Sequence, residues 1–164
     1  MINVFYSLSN YTIKFVLLYK KRMMVKSLII MLGFVLLAWG SQPVAFIKNV
    51  QGNAIVKHDN IPHTIQKGEH LFTGDSIQTA KKTTIGVSFN DGTRIAIGPE
   101  SIFIIDDYIF APAQKEFHFN VTLPKGTIVF ESGKIGKLAP EKVTIKVPQG
   151  IIGIRGTKFI VEAE

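Results

Sequence analysis

Histidine is the first residue to test for chemistry in this chain, because an imidazole can ligate a metal or carry a proton near neutral pH. His58, His63 and His70 fall within thirteen residues, and His118 stands apart. Their spacings match no metal motif, and the sequence around the first three is polar and rich in turn residues. The expectation is solvent-exposed loop histidines and no metal. Ser76 follows Asp75 and lies near His70, but no G-x-S-x-G elbow surrounds it, so no serine triad is expected. Asp106 and Asp107 are adjacent. Successive strand side chains point to opposite faces, so these two should not form a carboxylate pair and should instead end the strand "SIFII". "SGKIGK" at 132–137 reads as a basic turn and not a phosphate loop, since no helix is expected after it to lend its N-terminus. No cysteine is present. That excludes disulfides, thiolate metal sites, a cysteine nucleophile and the lipid-modified cysteine of a bacterial lipoprotein. No acid, base, nucleophile and orienter converge, so the sequence predicts a protein that is not an enzyme and carries no cofactor.

Short strands would have to position these residues. From Val50 onward, "AIVK", "HTIQ", "DSIQT", "TIGVSF", "TRIAIG", "SIFII", "FHFNVTL", "TIVF", "KVTIKV" and "KFIVEAE" read as strands rich in β-branched and aromatic residues. Phe117, Phe119, Val121 and Leu123 share one face against His118, Asn120 and Thr122, as do Val143, Ile145 and Val147 against Thr144 and Lys146. Period-two alternation of this kind belongs to strands packed on one side. Turn residues punctuate the runs, among them Thr73-Gly74-Asp75, Asn90-Asp91-Gly92, Pro124-Lys125-Gly126 and Pro148-Gln149-Gly150. Asn90-Asp91-Gly92 is the strongest hairpin signal, with Asp-Gly suited to a type I′ turn. No helix is expected after residue 45. The fold class predicted is all-β, a twisted solenoid-like or sandwich-like domain of about ten short strands. "FIIDDYIFAPAQKEFHF" is rich in aromatic residues, which either fill the core or form a patch for a partner.

The N-terminus reads as an address. "MMVKSLIIMLGFVLLAWGSQ" begins at Met23 with a lysine, continues through an apolar block from Leu28 to Trp39 and ends in small residues, the layout of a signal peptide. Twelve helical residues span about 18 Å, short of the roughly 30 Å hydrocarbon core. Segment 23–40 is therefore a cleaved signal peptide or an uncleaved membrane anchor. Residues 1–22 are either an extension from a start codon placed too early or a second hydrophobic or cytoplasmic segment. The formal charge of +7 is concentrated here: Lys14, Lys20, Lys21, Arg22 and Lys26 face no acid before residue 27. From Ser41 onward fourteen Lys or Arg oppose twelve Asp or Glu, leaving +2. That balance carries no field for nucleic acid.

The ordered set "GEHLFTGDSIQT", "VSFNDGTRIAIGPES", "KGTIVFESGKIGK" and "TIKVPQGIIGIRGTKFIV" resembles the FecR domain family. The resemblance covers residues 46–162. Val147 precedes Pro148 where the family usually has threonine. The resemblance implies a periplasmic, all-β, twisted solenoid-like domain. In the best-known members it sits in a membrane-spanning regulator that relays a signal from an outer-membrane siderophore receptor to an extracytoplasmic sigma factor. Such regulators carry a cytoplasmic anti-sigma domain and a receptor-contacting domain. The expectation here is a stand-alone exported domain, periplasmic or held in the inner membrane through segment 23–40 alone. The matched residues Gly74, Asp75, Asp91, Gly92, Thr93, Gly153, Arg155, Gly156 and Thr157 are expected to be structural.

Arg155 poses the sharpest question in that set. An unbroken strand through "IIGIRGTKF" would be apolar on both faces and largely buried, and a buried guanidinium left unpaired costs several kcal/mol. Asp75 and Asp91 are its expected partners, unless a bulge at Gly156 turns it outward. The functional expectation is an interaction or sensory module with a protein partner in the envelope. The alternative is an envelope-structural or glycan-binding protein.

Overall fold

The structure is a computed structural model that describes Lys20, residues 41–154 and residues 156–164. Segment 23–40, the rest of residues 1–22 and Arg155 lie outside the described residues. Gln42–Glu164 forms one unit.

That unit is nearly all β. Its strands are β1 (Ala45–Gln51), β2 (Ala54–His58), β3 (Ile61–Thr64), β4 (His70–Leu71), β5 (Ser76–Thr79) and β6 (Thr84–Phe89). They continue as β7 (Arg94–Ile97), β8 (Ile102–Ala111), β9 (Glu116–Glu131), β10 (Val143–Val147), β11 (Gly150–Gly153) and β12 (Lys158–Ala163). One short helix, α1 (Lys134–Leu138), and a 3₁₀ turn at Pro140–Lys142 separate β9 from β10.

The strands form two wings that share β9. One wing runs β4-β1-β6-β7-β9-β12, all antiparallel. The other runs β3-β2-β5-β8-β9-β10-β11, with β10 parallel to β9 and the remaining pairs antiparallel. Residues 116–125 of β9 serve the second wing and residues 126–131 the first. The two inner faces meet in one apolar core. Phe119 lies at its centre, with ring centroids 4.8 Å from Phe89, 5.8 Å from Tyr108 and 5.6 Å from Phe130. Tilted and edge-on aromatic contacts of this kind are favourable beyond the area they bury.

Pro124-Lys125-Gly126 is therefore not a turn between two strands, as the sequence suggested, but the bend at which β9 passes between wings. Gly126 has φ +104°, and a Cβ there would lie 2.5 Å from Ser101 Cα. Only glycine fits both demands. Ser101 closes the joint: its hydroxyl accepts from Thr127 N at 3.0 Å and its N–H donates to Thr79 Oγ1 at 2.9 Å.

β1 went unread because it abuts the apolar N-terminal segment and a bulge between Ile47 and Asn49 breaks its alternation. The turn types also differ from expectation. At Asn90-Asp91-Gly92 only Gly92 has positive φ (+87°), and Gly92 N donates to Phe89 O at 3.0 Å. This is a type I turn followed by a left-handed glycine and not a type I′ turn. The type I′ pattern falls instead on Asp59 and Asn60, with φ +48° and +64°, between paired His58 and Ile61. Helix α1 corrects the reading of "SGKIGK" as a plain turn: Ile135 is fully buried and drives the segment onto the core. The aromatic-rich segment fills the core, with Phe103, Tyr108 and Phe119 buried and Phe110 and Phe117 packed against it. Among the described residues, no helix is long and apolar enough to cross a membrane.

Candidate functional site

Three polar groupings stand out, and two are built around family-matching aspartates. In the hairpin β6–β7, Asp91 is 1% exposed. Its carboxylate accepts from Thr93 N at 3.1 Å, Thr93 Oγ1 at 2.7 Å and Ile135 N at 3.1 Å. Tyr108 Oη accepts from Asp91 N at 2.8 Å and donates back to the carboxylate at 3.3 Å. Lys134 N donates to Asp91 O at 2.9 Å. One carboxylate thus holds a turn, the start of α1 and a phenol from the other wing. Burial, and then the Asp91 charge, pushes the Tyr108 phenol far above its ordinary range, so it stays a donor.

Asp75 does related work between β4 and β5. It is 2% exposed, and its carboxylate accepts from Phe72 N at 2.8 Å, beside Gly74 with φ +93°. Its other oxygen lies 2.6 Å from His58 Nδ1. The His58 ring packs on Phe72 at 5.0 Å, and Nε2 lies 3.6 Å from Asp59. The hydrogen bond to Asp75 raises the His58 pKa, desolvation opposes it, and the charges of Asp75 and Asp59 add to it. A polar cleft opens at this corner, lined by Lys57, Asp59, Asn60, Thr73 and Ser76. Chemically the pair can take up and hold a proton. The far ring nitrogen faces a carboxylate, not a nucleophile.

The third grouping lies on the outer face of the second wing. A bulge between Ile105 and Asp107 places Asp106 as an extra residue in β8. Both neighbouring aspartates consequently address the same face of β9. Thr122 Oγ1 donates to Asp106 at 2.6 Å, Lys146 Nζ lies 3.6 Å from it, and His118 Nδ1 lies 2.9 Å from Asp107 with Asn120 at 3.4 Å. The expectation that these acids end a strand and point apart is overturned, because a bulge adds the one residue that cancels alternation. The histidine expectation also changes: His58, His63 and His70 sit on β2, β3 and β4 and not in loops, and His63 pairs with Glu69. Among the described residues, no group of three or more potential ligands could hold a metal ion.

The remaining expected positions lie close to the Asp91 turn, since Ser132 N donates to Thr157 O at 2.7 Å and Gly133 N to Thr93 Oγ1 at 3.0 Å. Gly153 closes β11, Gly156 and Thr157 form an exposed bend, and β12 starts at Lys158 in the other wing. "IIGIRGTKF" is thus two strands in two wings, and Ile151 is 72% exposed, which corrects the reading of one unbroken buried strand. The proposed Arg155 pairing falls outside the described residues. Asp75 and Asp91 already hold the donors named above.

The sequence matches the FecR protein family over residues 75–164, more than half of its length. The chain belongs to the FecR family. The match begins at Asp75, takes in the Asp91 turn and extends through β12. No curated protein matches the chain. Among solved structures, a "Cell surface anchoring domain" is similar at 26% identity and a TM-score of 0.36, over 37% of this chain and 82% of that one. FecR domains belong to proteins of the cell envelope.

Proposed function

We propose that this FecR domain is an exported, periplasmic, non-catalytic interaction or sensory module in envelope signalling. The observation that carries this reading is the outward presentation of the segment near the end of the family match. Ile151 is exposed, and among the described residues a Cβ on Gly153 or Gly156 would meet nothing within 4 Å. Packing among the described residues does not require glycine at either position. A glycine without an internal steric reason suits a surface where another backbone approaches closely.

Site-specific photocrosslinking from position 151 in cells, followed by fractionation, tests the reading. A discrete protein adduct in the envelope fraction is expected. Recovery of the chain from the cytosol would sink the proposal. A second reading, glycan binding, is favoured by the row Asp106, Asp107, His118 and Asn120 on an outer sheet face, whose donors and acceptors suit sugar hydroxyls. Retention on purified peptidoglycan without any protein adduct would favour that reading over the first.

A further inference from the structure

We infer that the free edge of β12 joins two copies of this chain antiparallel, with Ile160 opposite Ile160 and Lys158 opposite Glu162 of the second copy. This goes beyond the signalling role and stands independently of it.

The backbone comes first. Ser132 N donates to Thr157 O at 2.7 Å, and Lys158 lies opposite Glu131, so Thr157 and Ser132 are an opposed, hydrogen-bonded pair. Antiparallel ladders alternate, so Phe159, Val161 and Ala163 also bond toward β9. On its other side β9 obeys the same parity, because Thr127 O accepts from Gly98 N at 2.8 Å. The N–H and C=O groups of Lys158, Ile160 and Glu162 therefore point away from β9. Among the described residues, β12 pairs with β9 alone.

The side chains then choose the occupant. Val161 and Ala163 are buried, while Lys158, Ile160 and Glu162 are exposed, Ile160 at 69%. The outer sequence is cation, apolar, anion at a spacing of two. A two-fold axis at Ile160 makes that pattern its own complement, because antiparallel pairing sets each lysine against a glutamate and each isoleucine against its copy. The charges already alternate inward along this row, since Arg94 Nη1 binds Glu131 at 3.2 Å and Glu131 lies opposite Lys158. A glutamate from the second copy extends the alternation.

The other wing edges lack these properties. β3 carries Pro62, which has no N–H to give, β4 has two residues, and β11 is four residues without a charge. A six-residue edge that is unpaired among the described residues and carries an exposed isoleucine is an invitation to pairing that proteins otherwise suppress.

The chain has no cysteine, so single-cysteine variants report contact directly. Cα atoms of a hydrogen-bonded antiparallel pair lie about 5.5 Å apart, within disulfide reach. Purified full-length chain in detergent carrying Ile160→Cys should oxidise to dimer, while Ile61→Cys, at the equally exposed edge of β3, should give only a trace. Sedimentation should show the Lys158→Glu and Glu162→Lys single variants dissociating about tenfold more readily, since each places two like-charge pairs across the axis. The double variant should return to within about twofold of the parent. All variants should keep a single cooperative melting transition, because the three side chains are exposed. A monomeric parent at micromolar concentration, equal crosslinking at positions 160 and 61, or a double variant no better than the singles would each overturn the proposal.

Discussion

A histidine bonded to an almost fully buried carboxylate links its own proton to the packing of two elements. His58 on β2 and Asp75 before β5 make that link at 2.6 Å. The folded-state pKa of His58 is raised, chiefly by this hydrogen bond. A raised folded value means that the protonated form is favoured by folding. The stabilisation is present in full well below the unfolded value of about 6.5, and is lost as pH rises through the folded value. His58 is more than a third exposed, so solvent screens the effect and a modest amplitude is expected. Comparing the melting temperature of the parent and His58→Gln between about pH 5 and pH 8 tests this. The gap should be widest at the acid end and narrow upward; a gap that grows with pH contradicts the sign. Asp91 contrasts with this arrangement. Its partners are backbone N–H groups, a threonine and a phenol, so it acts as a fixed peg in the turn.

At the scale of elements, the bulge in β8 separates what the sequence could reveal from what it could not. Alternation in "KEFHFNVTL" and "KVTIKV" correctly assigned inner and outer faces, because regular ladders obey period two. The pattern is silent about a single inserted residue, and Asp106 is one. The same limit hid β1, with its own irregularity, and the bend at Gly126, where glycine and proline mimic a turn while the ladder continues. Asp75 and Asp91 were legible as turn residues from their glycine neighbours. Their partners His58, Tyr108 and Ile135 were not, since 17 or more residues separate each pair and only the sheet order brings them together. A deletion tests the bulge. Removing Asp106 leaves Ile105 and Tyr108 two positions apart and both facing inward, so it should cost about 1 kcal/mol or less. Removing Ile109 slips Phe110 to the outer face and should cost several times more, since one residue reverses every following side chain. Urea titration of the two deletions reads the difference, and equal losses would contradict the bulge.

The whole domain unfolds as one unit if its two wings share one core. Phe119 tests this: it is fully buried and touches Phe89, Tyr108 and Phe130, which come from both wings. Phe119→Ala should cost about 4 kcal/mol and shift a single transition. Coincident midpoints from backbone circular dichroism and tyrosine fluorescence are expected, and two separate transitions would show wings that fold apart. The shared strand also has a kinetic meaning. β7, β8, β10 and β12 all pair with β9, whose last residue is Glu131. A chain emerging N-terminus first can close the hairpins β2–β3 and β6–β7 early, yet the second wing gains its central partner only once Lys125 is free and the first only once Glu131 is. Folding should therefore wait for most of the domain's length, which gives slow, late and cooperative closure. A chain that stays open this long is suited to being threaded through a narrow channel before it folds.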